Sequence, residues 1–311
     1  MCVNEPQYVS REVRRTLAAL CCVALALLMC SCAAASRTAD PNLPRADAPA
    51  YPLVLEASEE RREKALAAWS VIVGEQPAAN APKPELRPVT ATIESLPPAL
   101  TTPPRMPKVV AGEARTQTDE ETRESLRRFI ETAAPLLGLE RRAPVAGETE
   151  RESTLGDLSL VEVAEGPNAT KLARYRQNPF DLPLRNGFGD IEVAFTPDLS
   201  VTRLKSTAVP DTERLRRAVT ALRQGLAQDK LAASLLNRTF TFADAAGNPQ
   251  TRTVANVESV VVRDLVVFPQ PRAGADTQLE LRLAWELSLE GQGAPLVVYV
   301  DAVTGEQLTP T

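Results

Sequence analysis

Five cysteines offer most of the reactive chemistry in this sequence, and all five (Cys2, Cys21, Cys22, Cys30 and Cys32) lie within its first 32 residues. The thiolate is the form of cysteine that attacks and ligates, so acylation, disulfide formation or metal binding by sulfur would have to occur there. There is no histidine at any position. That removes Ser–His and Cys–His nucleophile pairs and the His-Glu-x-x-His zinc site of metallopeptidases. Gly-x-Ser-x-Gly, Ser-x-x-Lys, Asp-Thr-Gly and phosphate-binding Gly-x-x-x-x-Gly-Lys patterns are absent as well. Paired carboxylates remain as possible acid and base, but no spacing in the sequence singles out a pair.

The cysteines are set in a leader-like context. Arg11, Arg14 and Arg15 precede an apolar run over 17–29. That run is short against the about 20 apolar residues needed to span a bilayer. A basic start, a short apolar stretch and a small residue at the exit mark an export signal. The exit, Met29-Cys30-Ser31-Cys32, resembles the bacterial lipobox. This implies cleavage after residue 31, acylation of Cys32 (palmitate or a similar chain) and attachment to a membrane. Ala33, rather than Asp, follows the cysteine, and by resemblance to known sorting this implies the outer membrane, facing the periplasm or the cell surface. An ordinary secretory signal cut near 33–35 is the other reading. Loss of residues 1–31 removes three basic and two acidic side chains, leaving a net charge of −6 with the signs interspersed. Such a chain has no polybasic footprint for nucleic acid. No cofactor or metal is expected.

The remaining elements follow from periodicity. Residues 32–52 read as a flexible tether and 59–71 as a helix. Nine prolines between Pro77 and Pro107 favour an extended arm, because proline lacks an amide donor and restricts its predecessor. Thr118-Asp119-Glu120-Glu121 is a capping box ahead of Leu126, Phe129, Ile130 and Ala133 at helical spacing, with Pro135 and Gly138 limiting or kinking the helix. Strands are expected over 158–163, 171–177, 191–195 and 200–207. A second helix is expected over 211–226, capped by Asp211, with Leu215, Ala218, Val219, Leu222 and Leu226 on one face. Phe240 and Phe242 begin a strand that turns at 244–248, and 257–268 is a long β-branched run. Leu279, Leu281, Leu283, Trp285, Leu287 and Leu289 alternate with mostly polar neighbours, the signature of an antiparallel strand with one buried face. Trp285 is then core, and Glu286, on the other face, is expected to tolerate removal. A turn at 291–293 leads to a return strand over 296–300, and Asp301 and Gly305 read as turn formers. Gly187 and Gly189 suggest a bulge or a close backbone approach.

The expected fold class is α+β, with helices packed on antiparallel β-sheets after a signal peptide and a Pro-rich arm. The segments are 1–31 (signal peptide), 32–52 (tether), 53–117 (short helix and arm), 118–209 and 210–311 (two α+β domains).

Two blocks carry a family resemblance. Residues 281–287 (Leu-Arg-Leu-Ala-Trp-Glu-Leu), followed by 297–306 (Val-Val-Tyr-Val-Asp-Ala-Val-Thr-Gly-Glu), look like the end of a PepSY domain. Tyr175-Arg176-Gln177, Pro183-Leu184, Gly187-Phe188-Gly189 and 191–204 resemble the fungalysin/thermolysin propeptide domain. In those metallopeptidases the pair forms a prosegment that assists folding and inhibits the enzyme. The sequence departs from them in lacking histidine and in ending where a catalytic domain would begin. The resemblance therefore implies a non-catalytic lipoprotein that binds a secreted metallopeptidase or another envelope protein, as inhibitor or chaperone. Leu308, Thr309, Pro310 and Thr311 are the expected contact, as a free extended tail, with an inert tail as the alternative. An envelope scaffold or sensor without a peptidase partner is the second reading, and a carboxylate-dependent enzyme the third.

Overall fold

The computed structural model describes residues 50–74, 82–109, 117–140, 157–222, 225–243, 248–291 and 295–310. In chain order the strands are β1 (Leu53–Glu56), β2 (Glu85–Leu86), β3 (Ile93–Ser95), β4 (Leu158–Glu165), β5 (Lys171–Gln177), β6 (Asp190–Phe195), β7 (Val201–Ser206), β8 (Thr239–Ala243), β9 (Pro249–Thr253), β10 (Val260–Arg272), β11 (Ala275–Leu289), β12 (Leu296–Asp301) and β13 (Gln307–Leu308). The helices are α1 (Glu59–Val73), α2 (Asp119–Leu137), α3 (Thr212–Ala221) and α4 (Gln228–Ser234). Helices packed on antiparallel sheets make this an α+β protein, as its sequence periods imply.

Strand β11 organises the C-terminal half. Its leucines and Trp285 point to one side and are buried with Leu215 and Val219 of α3 and Leu231 of α4. Strand β10 pairs with β11 along nearly its whole length. Strands β1 and β12 therefore share the other edge end to end, with Leu53 opposite Leu281 and Asp301 opposite Ala284. Trp285 fills the core and donates its indole N–H to the Leu226 carbonyl at 3.0 Å.

The second core lies between α1, α2 and the four-stranded sheet β4-β5-β6-β7. Helix α2 starts as its sequence dictates: Thr118 Oγ1 accepts from the Glu121 amide, and Glu121 Oε2 accepts from the Thr118 amide. Its apolar stripe, Leu126, Phe129, Ile130, Ala133 and Leu137, meets Tyr175, Ile191, Val193 and Leu204 of the sheet. Pro135 is accommodated inside the last turn, and Gly138, at φ 74°, ends the helix. A β-carbon there would lie 2.5 Å from Thr92 Cγ2, so the close packing itself requires glycine.

Several expectations need correction. The 53–117 segment is built into both cores. Leu53 and Leu55 are buried in the first, while Trp69, Ile93 and Met106 are buried in the second. Of the expected tether, Tyr51 is docked: its hydroxyl donates to Asp301 Oδ2 at 2.7 Å and accepts the Leu283 amide. Asp211 precedes α3 but adopts a left-handed backbone with no capping bond. The second helix is also shorter than its apolar spacing suggests. It ends at Ala221, so that Gly225 and Leu226 can both donate their amides to the Ala302 carbonyl. Any β-carbon at Gly225 would sit 2.4 Å from the Val303 carbonyl oxygen. The 257–268 run begins as a 3₁₀ turn, Val257–Ser259, where Asn256 caps the Ser259 amide before β10 starts.

Glu286 is the clearest departure. It is only 7 % exposed, because β11 is flanked on both edges and its second face carries a small apolar cluster of Val266, Phe268, Ala284 and Leu308. Arg185 pairs with Glu286 from a loop that also hydrogen-bonds β10. Thermal unfolding should show Glu286→Ala as destabilising, since it leaves the partly buried Arg185 without its carboxylate partner. Gly187 and Gly189 both have positive φ, and a β-carbon on Gly189 would press on Leu184 at 3.0 Å, the close approach expected there. The turns expected at 244–248 and 291–293 fall largely outside the described residues.

Candidate protein-binding site

The residues singled out in the sequence are dispersed. Cys32 and Thr311 lie outside the described residues. Leu308 does not belong to a free tail: it sits in β13 opposite Tyr299 and is 4 % exposed. Its side chain completes the cluster on the second face of β11, which explains why an apolar residue follows the final turn. Thr309 and Pro310 remain exposed.

A different surface has the character of a contact site. Strand β4 is the outer strand of the four-stranded sheet, paired only with β5 among the described residues. Its register shifts between Leu160 and Glu162, so Val161 is a bulge. Leu160 and Val163 lie opposite Tyr175 and Ala173 and thus extend the helix-facing side of the sheet beyond the cover of α2. They are 38 % and 37 % exposed, and Val161 is 63 % exposed. A groove of about 390 Å³ separates these side chains from the first turns of α2, with Asp119, Arg123, Glu165 and Lys171 at its rim. Lys171 and Asp119 pair across it at 3.5 Å. Edge strands present unpaired amides and carbonyls, which make them templates for a further strand. The sequence already marks β4 as apolar and β-forming. Its edge position is a long-range property that no local pattern carries.

The opposite edge of the same sheet is closed by the chain itself. The Val201 amide donates to the Pro104 carbonyl at 2.7 Å, and the Met106 amide donates to the Leu199 carbonyl at 2.9 Å. Further along β7, Thr92 Oγ1 and Arg87 Nε both donate to the Ser206 carbonyl. The proline-rich stretch thus lies along β7 as an extended cover.

Two acidic centres complete the electrostatics. Asp301 is fully buried and fully engaged. Its Oδ1 accepts the amides of Val303 and Thr304, and its Oδ2 accepts from Tyr51 and Arg282. Burial, and then the bond to Asp301, raises the Tyr51 phenol well above its ordinary value. This is turn chemistry, with Gly305 at φ 77° closing the loop. The second centre lines a cleft of about 1010 Å³ between α1, the end of α2 and the start of α3. There Asp211 Oδ2 accepts from Arg61 at 2.9 Å, and Glu140 Oε1 accepts the Asp211 amide at 2.9 Å. Arg61 and Asp211 are 150 residues apart in sequence, which is why sequence reading gave Asp211 only a local role.

Among the described residues, no group of three or more His, Cys, Asp or Glu could hold a metal ion, and no helix is long and apolar enough to cross a membrane. No protein-family model matches the chain, and no curated protein matches it. Among solved structures it is similar to the C-terminal domain of Bacillus megaterium YpeB, with 10 % identity over 64 % of this chain and 66 % of that one, at a TM-score of 0.25. It is also similar to an uncharacterized protein from Eubacterium rectale, with 11 % identity over 65 % of this chain and 58 % of that one, at a TM-score of 0.26. The chain thus spans less than two thirds of the length of either structure. Likeness at this level carries no argument about family or function.

Proposed function

We propose that this protein is a non-catalytic, lipid-anchored envelope protein that binds an extended segment of a partner protein along the open edge of β4. The partner we propose is a secreted metallopeptidase, which the protein inhibits or helps to fold. The observation that carries the binding mode is the contrast between the two edges of one sheet. Strand β7 is covered by an extended piece of the protein's own chain, whereas no described strand pairs with the outer edge of β4, which borders a charge-rimmed groove with Leu160, Val161 and Val163 on its wall. An added strand supplies main-chain hydrogen bonds, and alternate side chains entering a groove supply selectivity. The peptidase assignment draws on the resemblance of 118–209 to the fungalysin/thermolysin propeptide and of 210–311 to PepSY. The anchoring assignment draws on the lipobox-like exit at Cys32, and the non-catalytic assignment on the missing histidine and nucleophile motifs.

Titration of the soluble chain, begun after Cys32, against secreted thermolysin-like peptidases of the same organism tests the partner. The expected result is inhibition or improved refolding that weakens in Leu160→Glu and Val163→Glu. Absence of both effects for every such peptidase would leave a scaffold or sensor role in its place. Metabolic labelling with a fatty-acid analogue tests the anchor separately: the label should be present on the wild type and lost in Cys32→Ala.

A further inference from the structure

One face of the four-stranded sheet is buried against α2. On the other face the charged side chains are sorted by strand. Strand β7 carries Arg203 and Lys205 there, β6 carries Asp190 and Glu192, β5 carries Arg174 and Arg176, and β4 carries Glu162. The register sets these groups opposite one another: Lys205 faces Glu192, Glu192 faces Arg174, Asp190 faces Arg176, and Arg174 faces Glu162. Ion pairs link them across the sheet. Arg203 Nη2 lies 3.0 Å from Glu192 Oε2, Arg176 Nε lies 3.2 Å from Asp190 Oδ1, and Arg174 Nη1 donates to Glu162 Oε1 at 2.7 Å. Arg174 Nε lies 3.9 Å from Glu192 Oε1 as well. The sign therefore alternates from strand to strand, and each inner strand lies between two of opposite charge. Glu162 has such a neighbour on one side only, with Arg174 as its one ion-pair partner among the described residues.

We propose that the partner segment added along β4 carries a lysine or arginine opposite Glu162, with an apolar residue on either side of it. This rests on the reading of β4 as the partner-binding edge and extends it to the chemistry of what binds. The alternation of sign across the sheet makes a basic side chain the next rung beyond Glu162. Opposite charges facing each other across two strands attract, and like charges repel. Successive residues of a strand point to opposite faces, so the neighbours of the basic residue turn towards the face of Leu160 and Val163. Those exposed side chains favour an apolar contact. The groove rim, with Asp119, Arg123, Glu165 and Lys171, carries both signs equally and adds no preference of its own. Arg174 and Glu162 are about half exposed, at 51 % and 45 % of their side chains. Solvent screens a pair of this kind, so the basic rung selects among partner segments more than it sets the strength of binding.

The test uses the soluble chain and two fluorescently labelled peptides. One is Ser-Thr-Val-Lys-Val-Thr-Ser, and the other has glutamate in place of the central lysine. By fluorescence anisotropy the wild type should bind the lysine peptide about three- to tenfold more tightly than the glutamate peptide. Glu162→Gln should narrow that difference, and Glu162→Lys should reverse the order, whereas simple damage to β4 would weaken both peptides alike. Leu160→Glu locates the site, because binding of both peptides should fall. Binding that falls in Leu160→Glu but is equal for the two peptides overturns the basic rung and leaves the open edge standing. An order that Glu162→Lys does not change has the same consequence. No binding of either peptide, or binding indifferent to Leu160→Glu, overturns the open edge and the rung with it.

Discussion

The two edges of the four-stranded sheet differ in what lies against them. At β7 the chain supplies its own cover, with Pro104 and Met106 in backbone contact and Thr92 and Arg87 on the Ser206 carbonyl. At β4 no described strand takes that place, and three apolar side chains stand in solvent. An edge strand with exposed apolar residues invites association, and proteins commonly blunt such edges with charges, prolines or covering segments. Here one edge is covered by the chain itself, whereas among the described residues the other carries only the bulge at Val161 and the charges of Glu162 and Glu165. The uncovered edge is therefore the better candidate for a partner, and the covered edge displays the geometry such a partner would adopt.

The comparison can be broken by mutation. The largest effect is expected at the covered edge. Met106 is 2 % exposed, and Met106→Ala should cost about 2–5 kcal/mol in chemical unfolding, the range for a buried methionine. A loss near zero would mean that the cover is not part of the fold. Thr92→Val keeps the shape but removes the buried bond to Ser206, so a loss of about 1 kcal/mol is expected. Arg105→Ala tests the periphery of the same cover. Its pair with Asp198 is exposed on both sides, so its contribution should fall below about 1 kcal/mol and fade with salt. The smallest effect is expected at the open edge. Val161→Lys should change stability by less than about 0.5 kcal/mol, while weakening partner binding. A large stability loss there would show that β4 is covered by something of its own.

What the sequence made legible follows from distance along the chain. The capping box of α2 spans four residues and is present as read. The period-2 run of β11 identified its leucine face because burial on that side follows from alternation alone. The second face is not legible in that alternation, because Arg185 reaches Glu286 from 101 residues away and Leu308 returns to cover Ala284. The same limit applied to the arm: nine prolines excluded a helix but did not reveal that Ile93 and Met106 enter a core. It applied again to Asp211, whose position before a helix suggested a cap while its partners are Arg61 and Glu140. The open edge combined both cases. The strand at β4 was visible in its residues, but its outer position emerged only once β5, β6 and β7 were stacked beside it.

Hydrogen exchange of β4 in the presence and absence of a bound thermolysin-like peptidase tests the central claim most directly. Strand addition predicts slowed exchange for outward-facing amides between Leu158 and Glu165, with no change along β7. Protection confined to other surfaces, with β4 exchanging as in the free protein, would contradict it.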